Sequence, residues 1–82
     1  MLLITAPFVM AEDLTVLQEG DQYYVQNLEN STIEFTISYS YLYRKGSDKY
    51  VKRRDILHPF ERENCGYANM ITRPVVSDMK YR

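Results

Sequence analysis

The residues best able to do chemistry in this 82-residue chain fall in one stretch. There Arg44, Lys45, Lys49, Lys52, Arg53 and Arg54 place six cations within eleven positions, interrupted by one acid, Asp48. Tyr39, Tyr41, Tyr43 and Tyr50 lie among and before them, four of the eight tyrosines in a chain with no tryptophan. Cations attract carboxylate or phosphate, and tyrosine rings offer wide contact area with a polar tip and little rotamer entropy to lose. Two kinds of partner fit that pairing. A protein with an acidic surface would be steered in by the charge. Single-stranded DNA or RNA would be held by phosphate attraction, with bases stacked on the rings. The net charge of −1 and the acidic first half favour the protein partner, because most nucleic-acid-binding domains are plainly basic.

Other reactive side chains are few. His58 is the sole histidine. A small ribonuclease-like enzyme would use it as a proton shuttle beside Arg53, Arg54, Glu61 or a tyrosine, since phosphoryl transfer needs positioning, positive charge and a proton carrier. His58-Pro59 reads more simply as a loop or the start of a helix. Cys65 is the lone cysteine, so no intramolecular disulfide can form, which fits a reducing, cytoplasmic setting and a core thiol beside Gly66. One His and one Cys without ligand spacing define no metal site. The three glycines, at 20, 46 and 66, build no phosphate loop. Neither cofactor nor metal is therefore expected.

The element that must position the basic stretch is the run Thr32 to Lys45. Ile33, Phe35, Ile37, Tyr39, Tyr41 and Tyr43 occupy alternate positions in it. A period of two rich in β-branched and aromatic residues predicts one long strand. Before it, Leu14–Gln18 and Gln22–Leu28 read as strands around a turn at Glu19-Gly20-Asp21-Gln22, with Gly20 free to take positive φ. Glu29-Asn30-Ser31 turns the second into the long strand, so the three form an antiparallel meander. After it, Lys45-Gly46-Ser47-Asp48 predicts a turn and Lys49–Ile56 a charged edge strand. Pro59 to about Asn64 reads as a short helix closed by Gly66. Tyr67–Arg73 reads as a strand stopped by Pro74, with Val75-Val76 a short apolar clip ahead of a polar tail.

The first eleven residues are apolar, and Val9-Met10-Ala11 has the look of a cleavage site. Their short length, the lack of Lys or Arg after Met1, and Pro7 argue against a signal peptide. Leu2 to Thr5 reads instead as a strand, and Ala6 to Asp13 as a loop. No stretch approaches the roughly 20 apolar residues that span a bilayer, so no membrane partner is expected. Asn30-Ser31-Thr32 matches a glycosylation acceptor but is better read as a turn.

Charge is divided along the chain. Residues 1–43 carry six acids and no Lys or Arg, whereas residues 44–82 carry all ten basic residues and five acids. The expectation is one small domain over residues 1–82, mainly β or small α+β. It would be a single curled antiparallel sheet of five or six strands, or a small barrel, with at most one or two short helices. Its expected work is non-enzymatic: an adaptor or small inhibitor of a larger protein, binding through the aromatic and basic hairpin from Tyr39 to Arg54. Opposite-sign halves and exposed edges also allow a homodimer or other homo-oligomer. Nucleic-acid binding through the same hairpin is the alternative, and catalysis at His58 a distant third.

Overall fold

The computed structural model describes residues 13–82 of the chain, so the strand expected at Leu2–Thr5 and the loop after it lie outside the described residues. Six strands follow: β1 (Leu14–Glu19), β2 (Gln22–Asn27), β3 (Ile33–Ser40), β4 (Tyr50–Leu57), β5 (Arg62–Tyr67) and β6 (Val75–Tyr81). They form two three-stranded antiparallel sheets, ordered β1-β2-β5 and β4-β3-β6. The expectation of a mainly β protein holds. The single curled sheet or barrel is replaced by two separate sheets.

Alternation explains the shared core. In β3 the phase of Ile33, Phe35 and Ile37 is fully buried, and it meets Leu14 and Val25 of the first sheet and Leu57 of its own. Burying each such side chain contributes about 1.5–3 kcal/mol. The opposite phase of β3 (Glu34, Thr36, Ser38, Ser40) faces outward. Thr36 is nevertheless buried, because Arg54 lies across it and donates from Nη1 to Oγ1 at 2.9 Å.

Two bulges keep the pattern in phase. Val76 packs inward, and so do Met79 and Tyr81, although strict alternation would set them on opposite faces. The register slip between Glu34 and Thr36 absorbs the extra residue at Asp78, whose φ is 50°. A second slip opposite Tyr23 and Tyr24 makes Cys65 the extra residue in β5.

The meander is broken at Asn27. β3 leaves the first sheet for the second, and β5 takes the place beside β2. Asn27 is fully buried at this crossover. Its Nδ2 donates to the carbonyls of Ser31 (2.7 Å), Leu57 (3.2 Å) and His58 (3.0 Å), and its Oδ1 accepts the Glu29 N–H at 2.9 Å. One amide therefore holds two of the three crossings between the sheets, residues 28–32 and 58–61.

The expected helix from Pro59 is a tight turn running into β5. Pro59 suits the second position of a β-turn as well as a helix start. Glu61 N–H bonds the His58 carbonyl at 3.1 Å, and Phe60 takes φ 59°, a left-handed value that ends any helix. Glu61 O then accepts Asn27 N–H at 2.9 Å and starts the β2–β5 ladder. Likewise the expected strand Tyr67–Arg73 is a turn over Ala68–Met70 followed by a single bridge at Ile71, while the expected tail is β6.

Candidate interaction surface

The long strand expected to reach Lys45 ends at Ser40, and its ending shapes the candidate site. Past Ser40 the chain turns toward residues 70–72: Thr72 N–H donates to Ser40 O (2.8 Å) and Leu42 N–H to Met70 O (2.9 Å), with Tyr41 bridged to Ile71. Tyr41 N–H still reaches Lys49 O at 2.7 Å. Residues 42–45 then form an exposed loop, closed by a 3-10 turn at Gly46–Lys49 that begins on Gly46 at φ 75°.

The tyrosines take three environments. Tyr39 packs half-buried against the core. Tyr41 stands edge-on to it, with centroids 6.0 Å apart and planes at 80°, and the Arg44 guanidinium covers Tyr41 at 4.1 Å. Such edge-to-face and cation–π contacts are each worth about 0.5–1.5 kcal/mol, so this column is a structural stack. Tyr43 and Tyr50 are 79% and 67% exposed, and Lys49 Nζ sits 5.9 Å from the Tyr50 ring. Of the four tyrosines in this stretch, only these two present open faces.

The six cations also divide. Arg53 lies on the core-facing side of β4, where it bonds Glu63 at 2.9 Å, approaches Asp55 at 3.7 Å and reaches the Tyr39 hydroxyl at 3.4 Å. Arg54 lies on the outer face, bonded to Glu34 at 2.8 Å and to Thr36. That bond, helped by Lys80 and Arg82 nearby, holds the Glu34 carboxyl below the usual range. Glu63 is shifted the other way, because burial and the neighbouring Asp55 outweigh Arg53. Both arginines are thus committed within the fold. Arg44, Lys45, Lys49 and Lys52 have no carboxylate within ion-pair distance among the described residues.

Beside the free cations, the outer face of β4-β3-β6 carries two shallow depressions. One, of about 330 Å³, is lined by Ser38, Ser40, Tyr50, Lys52, Thr72 and Val75. The other, of about 410 Å³, is lined by Glu34, Arg54, Asp55, Ile56 and Arg82. Exposed Leu42, Met70 and Val75 join Tyr43 and Tyr50 at this end of the sheet. The contribution of residues 70–75 was not legible in the sequence, since the Tyr41–Ile71 bridge is a long-range pairing with no local signal.

The other reactive groups lie apart. His58 follows the far end of β4, with Nδ1 3.4 Å from Thr32 Oγ1 and its backbone N–H bonded to Glu61 at 2.8 Å. Six steps along the chain separate it from Lys52, about 20 Å at ~3.3 Å each. Cys65 is half-buried, and burial, with Glu63 and Asp55 nearby, pushes its thiol up to about 11. No helix among the described residues is long and apolar enough to cross a membrane. Comparison with protein-family models, with curated proteins and with solved structures finds no match to this chain.

Proposed function

We infer that the chain is a non-enzymatic binding module that engages an acidic protein surface, as an adaptor or small inhibitor would. The observation that carries this reading is the adjacency of two open tyrosine faces, Tyr43 and Tyr50, to four cations with no carboxylate at ion-pair distance among the described residues, Arg44, Lys45, Lys49 and Lys52. Unpaired cations speed encounter with an acidic partner, and exposed aromatics with Leu42, Met70 and Val75 supply the area that holds it. The binding set is therefore smaller than the hairpin from Tyr39 to Arg54. Tyr39, Tyr41, Arg53 and Arg54 support it from within the fold.

The test is capture of partners on the immobilised chain at moderate salt, compared with Tyr43→Ala, Tyr50→Ala and a Lys49→Glu/Lys52→Glu double variant. Fluorescence anisotropy with labelled single-stranded DNA and RNA at two salt concentrations accompanies it. The reading expects one retained protein, lost in the tyrosine variants and slowed about tenfold or more in association by the charge reversal. Oligonucleotide binding at micromolar concentration or tighter, weakening steeply with salt, would replace the acidic protein with nucleic acid on the same cations.

A further inference from the structure

Sheet edges decide how a β protein can take an extended partner, and the four edges here differ. The β5 edge is interrupted by its bulge at Cys65, and the β6 edge by the bulge at Asp78. On β1, the Leu28 N–H bond to Asp13 O fixes the ladder phase so that the Val16 backbone groups point away from β2, and Arg73 Nη2 occupies the Val16 carbonyl at 2.5 Å. β4 pairs with β3 over eight residues without a slip. Its Tyr41–Lys49 bond assigns residues 51, 53, 55 and 57 to the β3 ladder. Residues 50, 52, 54 and 56 consequently turn their backbone N–H and C=O groups outward. The Ile56 N–H is capped by Asp55 Oδ1 at 2.8 Å. The Tyr50 N–H is taken by the Ser47 carbonyl, whereas Lys52 and Arg54 have no such cap among the described residues.

We propose that the β4 edge from Tyr50 to Arg54 accepts an acidic extended segment of a partner protein as a fourth strand of the β4-β3-β6 sheet. This rests on the acidic-protein reading above and names its mode of binding. The backbone groups of Lys52 and Arg54, with the Tyr50 carbonyl, supply the ladder, while Lys52 and the neighbouring Lys49 select acidic side chains on the incoming strand. The same cations reject a second copy. Two β4 strands paired about a twofold axis would set Lys52 opposite Lys52 and Tyr50 opposite Arg54, and like charges directly opposed are destabilising. A cationic edge is a guard against neutral strands, and it is an invitation to an acidic one.

The probe is an eight-residue peptide of alternating Glu and Val with blocked ends, titrated into the full 82-residue chain and followed by amide NMR and hydrogen exchange. Its counterpart carries N-methyl groups at alternate positions, which removes the donors that would face β4. The proposal expects the amides of Lys52 and Arg54 to shift and to exchange at least tenfold more slowly. It also expects tenfold or greater weakening for the N-methylated peptide. Lys52→Pro removes only an outward donor and leaves the β3 ladder whole, so it should weaken binding as much while the fold persists. Should that variant fail to fold, the N-methylated peptide and the exchange data still decide. Equal binding of both peptides, lost only in Lys52→Glu, would overturn strand addition and leave the charged surface standing. No binding of either peptide to the unaltered chain would overturn both readings.

Discussion

Replacing Asn27 with alanine removes the side chain that ties the two sheets together, and the cost can be worked from its contacts. The Leu57 carbonyl is the most enclosed of its partners. The β3 ladder also gives it the Ile33 N–H, so losing the amide costs it about 0.5–1.5 kcal/mol. The Ser31 and His58 carbonyls and the Glu29 N–H are partly reachable by water, so each loss is worth nearer ~0.5–1 kcal/mol. The expected total is about 2–4.5 kcal/mol. A chain of this length has about 4–12 kcal/mol to lose, and at ~4–8 °C per kcal/mol the midpoint should fall by roughly 8–36 °C. Urea and thermal melts followed by far-UV circular dichroism measure this directly. Asn27→Asp keeps the shape but points a carboxylate at three carbonyls. Its folded-state pKa should rise above the unfolded value of about 3.9. Its deficit should therefore be full at neutral pH and shrink as pH falls through the raised folded value, when the native state takes up the proton. The alanine deficit should show no such recovery. An alanine variant within ~1 kcal/mol of the parent, or an aspartate variant insensitive to acid, would refute the assignment of Asn27 as the tie between the crossings.

Three further outcomes follow from local geometry. Cys65, with its thiol pushed up to about 11, should alkylate with iodoacetamide at neutral pH at least ~100-fold more slowly than a free thiol of pKa about 8.5. A rate equal to that of glutathione would show that the thiol is not enclosed. Asp55→Asn should bring the Glu63 titration, read by carboxyl NMR, down toward the ordinary range, because Asp55 is a main cause of its elevation after burial. Since a raised carboxyl pKa makes stability fall as pH climbs from the unfolded toward the folded value, the same change should flatten that decline. The asparagine keeps an oxygen for the Ile56 N–H, so an unchanged Glu63 midpoint would deny the coupling. Phe60→Gly should gain about 0.5–1 kcal/mol in a denaturant melt, because Phe60 holds φ 59° while its ring is 61% exposed and adds little packing. Loss of stability there would mean that the ring has a packing role.

Strands could be read from the sequence because alternation is a local property. Ile33, Phe35 and Ile37 declare both the strand and its buried face, and Gly20 at φ 63° marks the first position of the β1–β2 turn. The partition into two sheets is a different kind of fact. Nothing between Asn27 and Ile33 distinguishes a hairpin turn from a crossover, because both use the same turn-forming residues. The decision lies in what the Asn27 amide finds, and two of its three acceptors are thirty residues away on β4 and just past it. Pro59 is ambiguous for a related reason: it fits a helix start and a turn equally, and β5 wins because β2 has an open ladder to fill.

The same distinction governs the candidate site. Composition located the cations and tyrosines, and it treated Arg53 and Arg54 as members of one basic cluster. Adjacent residues of a strand face opposite ways, so Arg53 was bound to meet the core-facing side and Arg54 the outer one. What could not be foreseen was that carboxylates wait on both sides, Glu63 from β5 and Glu34 from β3. A basic run on an edge strand is therefore a poor measure of free positive charge until its cross-strand partners are known. Here the subtraction leaves Lys52 as the one cation of β4 without an ion pair among the described residues, beside Arg44, Lys45 and Lys49 ahead of it. That is why the charge available for a partner concentrates at one end of the strand, where Tyr43 and Tyr50 stand open.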